Sequence, residues 1–152
     1  MAERSVAHAT FSLQRTYDSP PAKVFKAFAD PAIKRSWFAE GEGWEIEEFV
    51  ADFKVGGYER SCFRFRGGTP IRNDTTYHDI VPNERIILGY VMTIGENRIS
   101  ASLATIVFKP AGAGTELIFT EQGAFLDGLD TAGPREAGWR DLLEALGKAL
   151  KR

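Results

Sequence analysis

The stretch SPPAKVFKAFADPAIKRSWFAEGEGW, residues 19–44, decides how the chain is read. Its prolines follow Ser19 and Asp30, at positions where a missing backbone N–H costs nothing, so each pair marks a helix start. Ser19 is the expected cap of a first helix with Val24, Phe25 and Phe28 on its buried stripe. Asp30-Pro31 stops that helix and caps a second, on which Ile33 and Trp37 lie four apart on one face. The glycines of GEG, residues 41–43, end it. Two short helices and three large aromatics, Trp37, Phe38 and Trp44, therefore precede a long segment with no helical period.

Upstream, TFSLQRTY (residues 10–17) alternates, with Phe11, Leu13, Arg15 and Tyr17 on one face, which predicts a half-buried strand. Downstream, residues 44–125 read as six more strands. They are separated by turn signals at Gly56-Gly57, Gly67-Gly68, Pro82-Asn83, Gly95-Glu96-Asn97 and PAGAG, residues 110–114. PAGAG joins strand to strand, which makes it a hairpin turn and not a phosphate loop. The terminal GPREAGWRDLLEALGKALKR places Trp139, Leu142, Leu143, Leu146 and Leu150 on one helical face. The order β, α, α, six β, α predicts an α+β protein in which one sheet is covered on one face. A seven-stranded antiparallel sheet must curl to wrap the last helix, and the space between them is where a ligand cavity is expected.

The 152 residues are the length of one domain, expected over 1–152 with a core at about 9–151. A net charge of −2 gives no electrostatic footprint for nucleic acid or an anionic membrane. The N-terminus has no basic region followed by an apolar run, and no stretch approaches the roughly 18 apolar residues of a membrane span. A cytoplasmic protein is the expectation. The single cysteine, Cys62, fits a reducing compartment and has no identifiable base beside it. His8 and His78 belong to no ligand-spaced cluster, and the acids of EGEGWEIEE lack the spacing of a calcium loop, so neither a metal nor a cofactor is called for.

RTYDSPPAKVFKAFADPAIKRSWF, VGGYERSCFRFRG, YHDIVPNERIILGY, GAGTELIFTEQGAF and GWRDLLEAL occur in order along the chain. Together they resemble the branch of the START/Bet v-like (SRPBCC) superfamily that is similar to the C-terminal domain of the activator of the heat-shock protein 90 ATPase. The resemblance covers about residues 11–150. It implies the helix-grip fold, a curved seven-stranded antiparallel sheet around a long C-terminal helix and a hydrophobic cavity. It also implies lipid-, hormone- or polyketide-sized ligands, cyclisation or aromatisation in some members, and a stress-response setting. Relatives often read THEGF at the end of the seventh strand, whereas this chain reads TEQGAF, with Glu121 in place of the histidine.

Hairpin geometry estimates the inward face. With Ile80 opposite Ile86 across the Pro82-Asn83 turn, Asp74, Thr76 and His78 are expected to point the same way as Leu88, Tyr90 and Met92. Counting onward brings Ala104, Ile106 and Phe108 inward together with Leu117, Phe119 and Glu121. Thr76, Tyr90, Ala104 and Glu121 would then form one row, with His78 beside it. Arg60, Cys62, Arg64 and Arg66 face outward. A one-residue slip would reverse these assignments.

The expected ligand-binding set is Trp37, Phe38, Thr76, His78, Tyr90, Met92, Ala104, Phe119, Glu121, Trp139 and Leu143. Each has a plainer reading. Glu121 either lines the pocket or reaches solvent at the strand end, His78 is a structural histidine or a catalyst, and Tyr90 and Trp139 are core aromatics or a stacking wall. The aromatics Trp37, Phe38 and Trp44 pack the short helices onto the sheet, line the pocket mouth, or do both. Three functions compete. The favoured one is a small-molecule binding protein for a hydrophobic or aromatic ligand. The alternatives are a polyketide cyclase/aromatase-like enzyme using Glu121 or His78, and a co-chaperone-like module with a chaperone or other protein as partner.

Overall fold

A computed structural model describes residues 3–152, so the first two residues of the domain expected over 1–152 lie outside the described residues. Strand β1 (Val6–Tyr17) is followed by helices α1 (Pro21–Ala29) and α2 (Pro31–Phe38). Six strands come next: β2 (Trp44–Asp52), β3 (Tyr58–Phe65), β4 (Ile71–Val81), β5 (Arg85–Ile94), β6 (Asn97–Ala111) and β7 (Gly114–Leu126). Helix α3 (Ala132–Leu150) closes the chain. All seven strands form one antiparallel sheet in the order β1-β7-β6-β5-β4-β3-β2, so β1 and β2 are its edges. This is the α+β helix-grip architecture.

The proline devices work differently at the two helix starts. Asp30 accepts hydrogen bonds from the backbone N–H groups of Ala32 and Ile33, as a capping residue does. Ser19 does not cap α1. Pro20 occupies that position without a side-chain bond, and the Ser19 carbonyl accepts instead from Thr115 Oγ1 at 2.7 Å.

One apolar layer lies between the sheet and the helices. Phe28 packs edge-on against Trp37 and Phe108, and the Trp37 indole N–H donates to the Ala27 carbonyl at 2.9 Å, which locks α2 onto α1. Tyr17 donates to the Leu143 carbonyl at 2.8 Å and ties β1 to α3. Leu143, Leu146 and Leu150 are buried on α3, and full burial of each such side chain stabilises the fold by about 1.5–3 kcal/mol.

Two irregularities correct the expected register. Ile80 opposes Ile86 as anticipated, but His78 is bulged out of the β4–β5 ladder, so Tyr77 opposes Leu88 and Thr75 opposes Tyr90. Asn73, Thr75 and Tyr77 therefore face the core, while Asp74, Thr76 and His78 face outward and are exposed. The outer surface accommodates this because Gly89 has no side chain; a Cβ there would stand 2.8 Å from His78 Nε2. The second irregularity is at Ile99, skipped after the tight Gly95-Glu96 turn, which sets Tyr90 opposite Ser102 and not Ala104. Ala104 does oppose Glu121, and Ala104, Ile106, Phe108, Leu117, Phe119 and Glu121 all face inward and are buried.

Candidate functional site

A cavity of about 530 Å³ opens between α2, the N-terminal half of α3 and strands β2 to β5. Trp37 and Phe38 from α2 meet Trp139 and Leu142 from α3 on one side, and Trp44, Phe63, Ile71 and Met92 line the other. The rings are fixed by one another. Trp37 meets Phe38 edge-on, Phe38 lies against Trp139, and Trp139 packs on Phe119 with ring centroids 4.1 Å apart. At the mouth, Trp44 packs on Phe63 and Phe65.

The cavity has a polar end built around Arg135. The residue lies one turn before Trp139 on the buried stripe of α3, which carries the guanidinium into the core with 7% of the residue exposed. One terminal nitrogen donates to the Tyr90 hydroxyl at 2.9 Å and to Glu121 Oε2 at 3.2 Å. The other donates to Ser100 Oγ at 2.7 Å and Asp130 Oδ2 at 2.8 Å. The Tyr90 hydroxyl donates to Glu121 Oε1 at 2.7 Å, Ser102 donates to Glu121 Oε2 at 3.0 Å, and the Trp139 indole N–H reaches the Tyr90 oxygen at 3.4 Å.

Burial works against the Arg135 charge, but the Tyr90 oxygen and the Glu121 and Asp130 carboxylates outweigh it, so the guanidinium is held more firmly protonated than in water. Burial, reinforced by the Glu121 carboxylate, pushes the Tyr90 hydroxyl well above its usual range, so it stays a phenol. Both Glu121 oxygens are engaged. A carboxylate that is fully enclosed and satisfied in this way is a structural counter-charge, and leaving Arg135 without it would cost about 3–5 kcal/mol.

A second buried ion pair sets the position of α2. Lys34 Nζ lies 2.9 Å from Glu59 Oε1, and the Tyr77 hydroxyl donates to the same oxygen at 3.0 Å. The Lys34 ammonium also stands over the Phe38 ring.

Of the residues expected from sequence, Trp37, Phe38, Tyr90, Met92 and Trp139 border the cavity. Glu121 sits behind Tyr90, sealed from solvent. Ala104, Phe119 and Leu143 belong to the core behind the cavity wall. Thr76 and His78 are on the opposite face of the sheet, displaced by the bulge, and cannot meet a molecule in this cavity. Sequence reasoning missed Arg135, Asp130, Ser100, Ser102 and Asn73. The signal for Arg135 was present, since the spacing of Trp139 and Leu143 extended back by four reaches it. Cys62 is buried on the outward side against Glu47, and its thiol is raised by burial, which disfavours the thiolate. Among the described residues no group of three or more His, Cys, Asp or Glu side chains is placed to hold a metal, and no helix is long and apolar enough to cross a membrane.

The fold and part of the sequence recur in known proteins. The Mll3558 protein from Rhizobium loti is 50% identical with a TM-score of 0.89, the match covering 95% of this chain and 99% of that one. A protein from Rhizobium leguminosarum is 43% identical with a TM-score of 0.94, covering 99% of each chain. DynU16, from the dynemicin biosynthetic locus, shares the fold at 17% identity and a TM-score of 0.70, covering 93% of this chain and 47% of that one. No curated protein matches this chain. The family model described as Activator of Hsp90 ATPase homolog 1-like protein matches residues 18–151. With that match over the helix-grip fold, the chain belongs to the activator of Hsp90 ATPase homolog 1-like family, a branch of the START/Bet v-like superfamily.

Proposed function

We propose that the protein binds a hydrophobic or aromatic small molecule in the cavity between the sheet and helices α2 and α3. The observation that carries this reading is the cavity itself. Its volume of about 530 Å³ falls in the ordinary range of ligand pockets, and all three tryptophans of the chain line it. A core that needed only to be filled would close on these rings, because empty apolar volume forfeits packing energy. Trp37, Phe38, Met92 and Trp139 supply the apolar contact, and Tyr90 with Arg135 marks the polar end.

The same geometry favours binding over turnover. His78 is on the wrong face, Glu121 is enclosed with both oxygens occupied, and the Tyr90 hydroxyl is a weaker acid than usual. The test is a titration of isotope-labelled protein with flavonoids, sterols, fatty acids and aromatic polyketides. Saturable shifts at Trp37, Met92 and Trp139 with at least one class support the reading. Shifts confined to residues outside the cavity, or none with any class, refute it.

A further inference from the structure

Two features of the cavity specify the ligand's polar group. Asn73 on β4 lines the cavity with 7% of the residue exposed, and its carboxamide has no hydrogen-bond partner among the described residues. Ser61, directly opposite it in the β3–β4 ladder, likewise has a sealed hydroxyl without a partner. Buried polar groups are almost always paired in a folded protein, and of these two only the Asn73 carboxamide borders the cavity, so it marks the place where a bound molecule supplies a missing bond, with the sealed Ser61 hydroxyl behind it offering no alternative contact.

The charge around them has one sign. The charged residues bordering the cavity are Glu40, Glu42, Asp130 and Asp141 against the single cation Arg135. Arg135 has no attraction to spare, because its two terminal nitrogens are already shared among Tyr90, Glu121, Ser100 and Asp130. Glu40 has Arg35 beside it, whereas Glu42 and Asp141 make no ion pair among the described residues. A carboxylate entering this space meets repulsion with no free donor of positive charge, while a protonated amine meets carboxylates and the aromatic rings of Trp37, Trp44 and Trp139 that border the space.

We propose that the cavity selects apolar molecules carrying a protonated amine over those carrying a carboxylate, with the Asn73 carboxamide oxygen accepting from the amine and Glu42, Asp130 and Asp141 setting the sign of the charge. This rests on the ligand-binding reading above.

The experiment compares three probes of nearly the same size, 2-(1-naphthyl)ethylamine, 1-naphthylacetamide and 1-naphthylacetate, by isothermal titration calorimetry near neutral pH and low salt. The amine is expected to bind at least about tenfold more tightly than the acetate, with the amide between them. Asn73→Leu should weaken the amine by about tenfold while leaving thermal stability equal or higher, since it removes an unpaired buried polar group. The exposed pair Glu42→Lys and Asp141→Lys should invert the preference between amine and acetate. An acetate that binds as tightly as the amine, or an order that survives the charge reversal, overturns the inference while leaving the binding pocket in place. Failure of all three probes to bind also overturns the inference, while the binding reading is decided separately by the titration with flavonoids, sterols, fatty acids and aromatic polyketides.

Discussion

Lys34 Nζ and Glu59 Oε1 stand 2.9 Å apart with both side chains almost wholly buried, and this ion pair joins helix α2 to strand β3 beneath the aromatic wall of the cavity. Desolvating two charges is expensive, and the pair is tolerated because Tyr77 adds a hydrogen bond to the same carboxylate. The helix that carries Trp37 and Phe38 is thus held by polar contacts below and ring contacts above.

Lys34→Ala should therefore destabilise the protein by about 3–5 kcal/mol, because Glu59 is left buried and unpaired. Combining Lys34→Met with Glu59→Gln should recover most of that loss, since the charge is removed and the Tyr77 hydroxyl keeps its acceptor. Denaturant unfolding of the single and double variants measures the difference. A cost below 1 kcal/mol, an order-of-magnitude threshold for an exposed pair, would mean that water reaches the pair.

Arg135→Leu is expected to cost a similar amount, about 3–5 kcal/mol, by stranding Glu121. In a double-mutant cycle with Glu121→Gln, the two changes should be strongly non-additive, with a coupling above about 1 kcal/mol. Additive losses would contradict the hydrogen-bonded cluster.

Alkaline pH offers an independent check on burial. Burial raises the hydroxyls of Tyr17, Tyr77 and Tyr90 above the ordinary value of 10.0. Above that pH the unfolded chain loses protons that the folded chain keeps, so the folded state binds more protons and stability falls as pH rises, by about 1.4 kcal/mol per pH unit for each tyrosine. Below it these groups contribute no slope. Phenolate absorbance from the three should appear together with unfolding, and its appearance in a still-folded protein would show that they are accessible.

His78→Ala should leave ligand affinity unchanged, because the imidazole lies against Gly89 on the outer face of the sheet. A loss of binding, measured by calorimetry with any ligand that the wild type holds, would place His78 within reach of the site after all.

The sequence made the elements legible because each carries a local signal: alternation in β1, Asp30-Pro31 at α2, and the apolar stripe of α3. What it hid depends on contacts between distant strands. The bulge at His78 leaves no mark in YHDIV, since both His78 and Tyr77 are plausible inward residues until Gly89 and Glu59 are seen to receive them on opposite faces. Ser19 has the composition of a cap, but Thr115 on β7 takes its carbonyl and Pro20 takes the capping position. Arg135 breaks the apolar pattern of α3, and only the carboxylates of Glu121 and Asp130, brought from β7 and the following turn, make its burial intelligible. Tyr90 and Trp139 stay ambiguous in the sequence, since large aromatics serve a core and a cavity wall equally well, and only the packing of the fold puts both at the cavity border.

Gly138 gives the most direct test of the central claim. It lies on α3 at the cavity, and a Cβ there would meet nothing within 4 Å. Gly138→Ala should stabilise the helix by up to about 1 kcal/mol, and Gly138→Leu should keep the fold while placing an isobutyl group in the ligand's space. The decisive measurement is calorimetric titration of Gly138→Leu with a ligand that binds the wild type. Lost binding in a protein at least as stable as the wild type is the predicted result, and undiminished binding would show that the ligand sits elsewhere.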